Sequence, residues 1–146
     1  MLALFWHGLM WWLLAGTGIS ETLSFTRSDF PGWNLSPVLW VVWTAIMVWA
    51  TTNAVNVTDG LDGLAAGSAL FGFLAFTVIA YWGFRNPDVY NLVNPLDLAV
   101  FSAAMAGACG GFLWWNAAPA RIFMGDVGAL GIGAALGLLA VATNTH

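Results

Sequence analysis

No Asp, Glu, Lys or Arg occurs in residues 1–19, 36–56, 64–84, 98–115 or 127–143. A helix rises about 1.5 Å per residue, so about 20 apolar residues cross a hydrocarbon core about 30 Å thick. Runs of this length favour helices packed side by side in a membrane. Composition agrees, with 60% hydrophobic and 7% charged residues, where a water-soluble domain carries about 25% charged residues. The expectation is an all-α, polytopic transmembrane bundle of about five spanning helices, with residues 1–146 forming a single integral membrane domain.

The breaks between segments hold the charges and turn formers: "SETLSFTRSDFPGWNLSP", "TDGLDG", "RNPDVYNLVNPLD" and "NAAPARIFMGD". Pro31, Pro37, Pro87, Pro95 and Pro119 all fall in or beside them, as helix punctuation should. Trp33, Trp82, Trp114 and Trp115 lie near segment ends, where amphipathic rings favour the membrane–water interface. Trp6, Trp11, Trp12, Trp40, Trp43 and Trp49 lie inside segments and are expected to pack or face lipid. The start, "MLALFWHGLMWWLLAG", lacks the positive region of a signal peptide and reads as a spanning helix. His7 there is a lone imidazole in an apolar run. Cys109, the single cysteine, lies among small residues and reads as a buried packing residue. Gly107 with Gly111, and Gly133 with Gly137, form small-xxx-small pairs that predict close packing of the fourth segment on the fifth.

Counting crossings places two polar clusters together. If the first segment ends on side A, residues 53–63 lie on side B, "RNPDVYN" on A, and "WWNAAPARIFMGD" on B again. Side A carries Arg27 and Arg85 against Arg121 on side B, so charge alone would make A cytoplasmic. Three Arg and no Lys form no basic patch for a nucleic-acid backbone.

The first cluster is "NAVNVTDGLDGLA", with Asn53, Asn56, Asp59 and Asp62 at every third position. Over this stretch a straight helix drifts by about 180°, so one stripe cannot present all four. Gly60 and Gly63 predict a bend that ends one helix and opens the next, with Thr58 or Asp59 as its N-cap. A hydrophilic interhelical loop is the bland alternative. The second cluster, Asn116, Arg121 and Asp126, favours a site, because ionisable residues at converging membrane segments are site candidates. Such carboxylates and carboxamides suit Mg2+, which takes a few carboxylate oxygens together with substrate phosphates. Gly60, Gly63, Gly125 and Gly128 would let backbone approach an anionic ligand. Gly125 and Asp126 also open the fifth segment, whose helix N-terminus favours negative charge. The sequence holds no His pair, Ser-His-Asp set, P-loop or dinucleotide-binding glycine motif, which argues against zinc chemistry, a Ser triad and those nucleotide folds.

"NAVNVTDGLDGLAAG" and "GFLWWNAAPARIFMGDVGALGIGAALG" resemble the polyprenyl-phosphate N-acetylhexosamine-1-phosphate transferase superfamily. They are most similar to its phospho-N-acetylmuramoyl-pentapeptide transferases. The resemblance covers roughly Ser36 to Thr143 and looks like the central part of such an enzyme. It implies transfer of phospho-N-acetylmuramoyl-pentapeptide from its uridine diphosphate (UDP) carrier to undecaprenyl phosphate. Uridine monophosphate (UMP) would be released, with Mg2+ required, in the first membrane step of peptidoglycan synthesis. It also implies a multi-pass protein of the bacterial inner membrane, a cytoplasmic site (making side B cytoplasmic) and a tendency to dimerise.

By motif position, the resemblance makes Asp126 the main metal ligand and a catalytic residue. Asn53 and Asp59 become catalytic residues around metal and diphosphate. Asp62 and Phe123 would hold the uracil, Phe123 by stacking. Asn116 would lie near nucleoside and phosphates, and Asn56 and Gly125 would line the substrate site. The family also has an adjacent Asp pair and a Lys upstream, and a His cluster downstream; these are not in this sequence. Ala129 stands where the family often has Ser. A central fragment is therefore the expectation, with roughly half of a whole transferase's spans. Alternatives are a non-catalytic remnant binding uridine nucleotide or a membrane partner, an N-acetylglucosamine-1-phosphate transferase, and a small ion-coupled transporter. Release of UMP separates enzyme from remnant. Mid-helix carboxylates would mark the transporter.

Overall fold

The structure, a computed structural model, describes residues 22–23, 33–34, 36–88, 92–143 and 145. The segment expected over residues 1–19, with His7, Trp6, Trp11 and Trp12, lies outside the described residues. Four helices follow one another: α1 (Pro37–Thr58), α2 (Leu64–Arg85), α3 (Pro95–Asn116) and α4 (Gly125–Ala142). All four are long and apolar enough to cross a membrane. The chain is a multi-pass membrane protein. The short ladder of β1 (Thr22–Leu23) with β2 (Trp33–Asn34) is antiparallel, in a stretch expected to be only a break.

The helix ends follow from local chemistry. Ser36 is extended at φ −64°, ψ 151°, and Pro37 opens α1. Proline fits this first position because its missing N–H would have had no helical partner. Pro95 opens α3 in the same way, after Asn94 in the left-handed region at φ 48°, which Asn tolerates better than most residues. In apolar surroundings the hydroxyls of the helices need partners. Those of Thr51, Thr52, Thr77 and Ser102 donate back to carbonyls four residues earlier at 2.7–2.9 Å, which removes the cost of a bare polar group in lipid.

Packing joins α2 to α3 and α1 to α4. Between α2 and α3, Ala69 and Phe73 meet Ala106 and Cys109, and Leu139 of α4 closes this core. Cys109 is buried, as expected of a packing residue. Trp40 is buried, while Trp49 is exposed.

The predicted glycine contact between α3 and α4 is not the one observed. Gly133 and Gly137 instead lie against α1, where a Cβ on Gly133 would sit 2.5 Å from Thr52 Cα. Gly107 and Gly111 have no atom within 4 Å of an added Cβ, among the described residues. The reason is rotational: α3 buries Ala99, Ser102, Ala106, Cys109 and Asn116, and Gly107 and Gly111 lie off that stripe. Sequence spacing identified two smooth faces but not which neighbour each would meet.

Candidate functional site

The α1–α2 and α3–α4 loops lie at the same end of the bundle, and the α2–α3 connection lies at the other. α1 carries Asn53 and Asn56 into its last two turns. Asn53 is exposed, with its Nδ2 donating to the Trp49 carbonyl at 2.6 Å, and Asn56 is half-buried. The helix runs through Thr58, whose hydroxyl donates to Ala54 O at 2.7 Å. Asp59 then ends it, its N–H bonded to Val55 O at 3.0 Å. Thr58 and Asp59 therefore close α1 rather than cap α2. The N-cap of α2 is Gly63, at φ 75° and without a side-chain cap. Two features require glycine there. Its φ is one that L-residues adopt at a cost, and an added Cβ would come within 3.3 Å of Leu113 Cδ1.

The α3–α4 loop folds back on the end of its own helix. The Arg121 N–H donates to Trp115 O at 2.8 Å, and its guanidinium lies 5.7 Å from the Trp115 ring centroid. That geometry is a cation–π contact. Gly125 begins α4 at φ 67°, with open space where a Cβ would be. Asp126 follows in the first turn of α4, where the helix dipole favours a carboxylate.

Two hydrogen bonds tie the loops together across more than fifty residues. The Gly63 N–H donates to Asn116 Oδ1 at 3.0 Å, and the Ala120 N–H donates to Asp62 Oδ2 at 3.1 Å. Asn116 also donates through Nδ2 to Ile122 O at 2.9 Å. It is 3% exposed, so its carboxamide is engaged by backbone rather than open to a ligand. Near this joint in sequence, Asp62, Phe123, Gly125 and Asp126 are exposed and Asp59 is half-buried. Phe123 is 77% exposed, a large apolar ring left open at the surface. Leu61, Ile122 and Val127 are exposed apolar residues in the same stretches of chain. Among the described residues no group of three or more His, Cys, Asp or Glu is placed to hold a metal ion.

Sequence reasoning brought the two clusters to one end but missed how they join. Neither the Asp62–Ala120 bond nor the Arg121–Trp115 contact has a signature in residue spacing. For Asn116 there was a signal: a carboxamide between an apolar run and "AAPA" can satisfy several orphaned backbone groups at once.

A sequence model of glycosyl transferase family 4 matches residues 2–144 of the chain. The chain belongs to glycosyl transferase family 4. Curated relatives in the family include the phospho-N-acetylmuramoyl-pentapeptide-transferase of Streptomyces griseus, 49% identical over 141 residues. That match covers 89% of this chain and 39% of the relative. The protein of the same name from Mycobacterium tuberculosis is 49% identical over 134 residues, covering 87% of this chain and 37% of the relative. The family 4 chain thus spans less than two-fifths of the length of these relatives. Both clusters lie inside the matched residues.

Proposed function

We propose that the joined loops form the nucleotide wall of a phosphoglycosyl transferase site at the cytoplasmic face of the bacterial inner membrane. The reaction moves phospho-N-acetylmuramoyl-pentapeptide from its UDP carrier to undecaprenyl phosphate. An oxygen of the lipid phosphate forms a bond to the sugar-side phosphorus of the diphosphate. The bond from that phosphorus to the bridging oxygen breaks, and UMP leaves with the electron pair. The observation that carries this reading is the pair of hydrogen bonds from Gly63 to Asn116 and from Ala120 to Asp62. They tie the two polar stretches together at one end of the helices, which supports a common site.

Each side chain has a task that its position supports. The exposed Phe123 ring offers a face on which the uracil stacks, with Asp62 accepting from the base edge. Asn53, Asn56 and Asp59 line the α1 side of the cleft, where the diphosphate passes. Gly125 lets the ligand approach the start of α4, whose N-terminal amides favour negative charge. Three carboxylates, Asp59, Asp62 and Asp126, face an anionic substrate with only Arg121 as a counter-charge among the described residues of this end. Such a cleft binds a diphosphate poorly unless a cation lies between. Magnesium fits this donor set, because it retains waters and takes one or two carboxylates plus phosphate oxygens rather than a closed protein cage. Asp126 would hold it. Bound there, the cation would offset negative charge on the diphosphate oxygens, as phosphoryl transfer requires.

The identity to the muramoyl-pentapeptide enzymes supports this branch over the N-acetylglucosamine one. The acids lie at helix ends rather than mid-span, which disfavours an ion-coupled transporter. The test is UMP release by the full-length protein, given UDP-N-acetylmuramoyl-pentapeptide, undecaprenyl phosphate and Mg2+. Release that needs all three supports the reading. Nucleotide binding without release reduces the chain to a binding protein, and neither result overturns the family assignment.

A further inference from the structure

We propose that Asn116 is a positioning residue, which sets the α1–α2 loop against the α3–α4 loop before any ligand arrives. The inference rests on the transferase reading only for its effect on turnover; the structural part stands alone. Asn116 ends α3 and is 3% exposed. Its Oδ1 accepts from the Gly63 N–H at 3.0 Å, and its Nδ2 donates to Ile122 O at 2.9 Å. One carboxamide therefore touches both loops, from a helix anchored in the core through Cys109 and Ala106. The buried carboxamide would lose both partners at a cost if the loops moved apart, so each loop is held by the partly buried bond it makes.

The two loops carry different parts of the site. Asp59 and Asp62 are fixed through the Gly63 side, while Phe123 and Asp126 follow directly after Ile122. The Asp62–Ala120 bond is a second tie, but Asp62 is exposed, so water competes for it. Asn116 is the better shielded tie, since it is 3% exposed and both of its bonds are partly buried. Small misplacements of reacting groups cost large factors in rate, so this spacing matters to catalysis without any contact from Asn116 to the substrate.

The test is hydrogen–deuterium exchange on the full-length protein in lipid nanodiscs, without ligand, followed by UMP-release kinetics. In Asn116→Ala, exchange in residues 59–63 and 117–124 should quicken by about tenfold. The α2 and α3 segments around Phe73 and Ser102 should exchange as in the wild type. Asn116→Asp keeps the oxygen that Gly63 uses and loses the N–H that Ile122 uses, so it should release 117–124 while 59–63 stays protected. Across the variants, kcat should fall in step with loop exchange, by about tenfold or more in Asn116→Ala. Lost activity with unchanged ligand-free exchange would overturn the proposal and make Asn116 a direct substrate contact. Faster exchange throughout all helices would overturn it too, leaving a general packing residue. If the wild type releases no UMP, the transferase reading fails, while the exchange pattern still decides whether Asn116 sets the loops.

Discussion

Gly133 of α4 lies so close to Thr52 of α1 that a Cβ on it would sit 2.5 Å from Thr52 Cα and 2.7 Å from the Thr51 carbonyl oxygen. These are backbone atoms, which cannot swing aside as the end of a side chain can. Gly133→Ala should therefore separate α1 from α4 and destabilise the bundle by about 1–3 kcal/mol. Gly107→Ala meets open space and should be neutral or stabilising by up to about 1 kcal/mol. Thermal unfolding of the two variants in one detergent checks the contrast. Equal midpoints would mean that α4 does not approach α1 so closely.

The two left-handed glycines at the site should respond differently. Gly125 at φ 67° has nothing near an added Cβ, so Gly125→Ala carries the backbone strain alone, about 1–2 kcal/mol. Gly63 at φ 75° adds a contact to Leu113 at 3.3 Å and holds the bond to Asn116. Gly63→Ala should lower the unfolding midpoint more than Gly125→Ala. The reverse order would contradict the joint described here.

Phe123 is large, apolar and 77% exposed, and little packing is lost when it is shortened. Phe123→Ala should leave the unfolding midpoint within about 0.5 kcal/mol of wild type. If the ring stacks on uracil, UMP affinity should fall by an amount equivalent to about 1–3 kcal/mol. Isothermal titration with UMP, with unfolding measured alongside, separates the two effects. Unchanged affinity would remove Phe123 from the nucleotide wall.

Much of this molecule is legible in its sequence because a bilayer imposes so simple a rule. Helices expected over 36–56 and 64–84 are observed at Pro37–Thr58 and Leu64–Arg85, since uncharged length and proline punctuation decide their extent. Crossing parity likewise brought residues 53–63 and 116–126 to one end without any knowledge of packing. What parity cannot supply is rotation about each helix axis. Gly133 and Gly137 were visible as a smooth face, yet only the packed structure turns that face to α1. Asp59 misled for a related reason: as an N-cap it had the right chemistry, but α1 continues to Thr58 and Asp59 closes it. Asn116 was visible as a carboxamide able to satisfy backbone groups, but its partner Gly63 was not, because a backbone N–H leaves no mark in a residue pattern.

In the proposed site, the two joined loops bind uridine nucleotide through a cation held at Asp126. The most direct test is UMP binding by the full-length protein across a Mg2+ titration, in the wild type and in Asp126→Asn. Mg2+ should tighten UMP binding to the wild type at least tenfold, about 1.4 kcal/mol, and Asp126→Asn should abolish this dependence while the fold persists. UMP binding that Mg2+ strengthens equally in both proteins would contradict it.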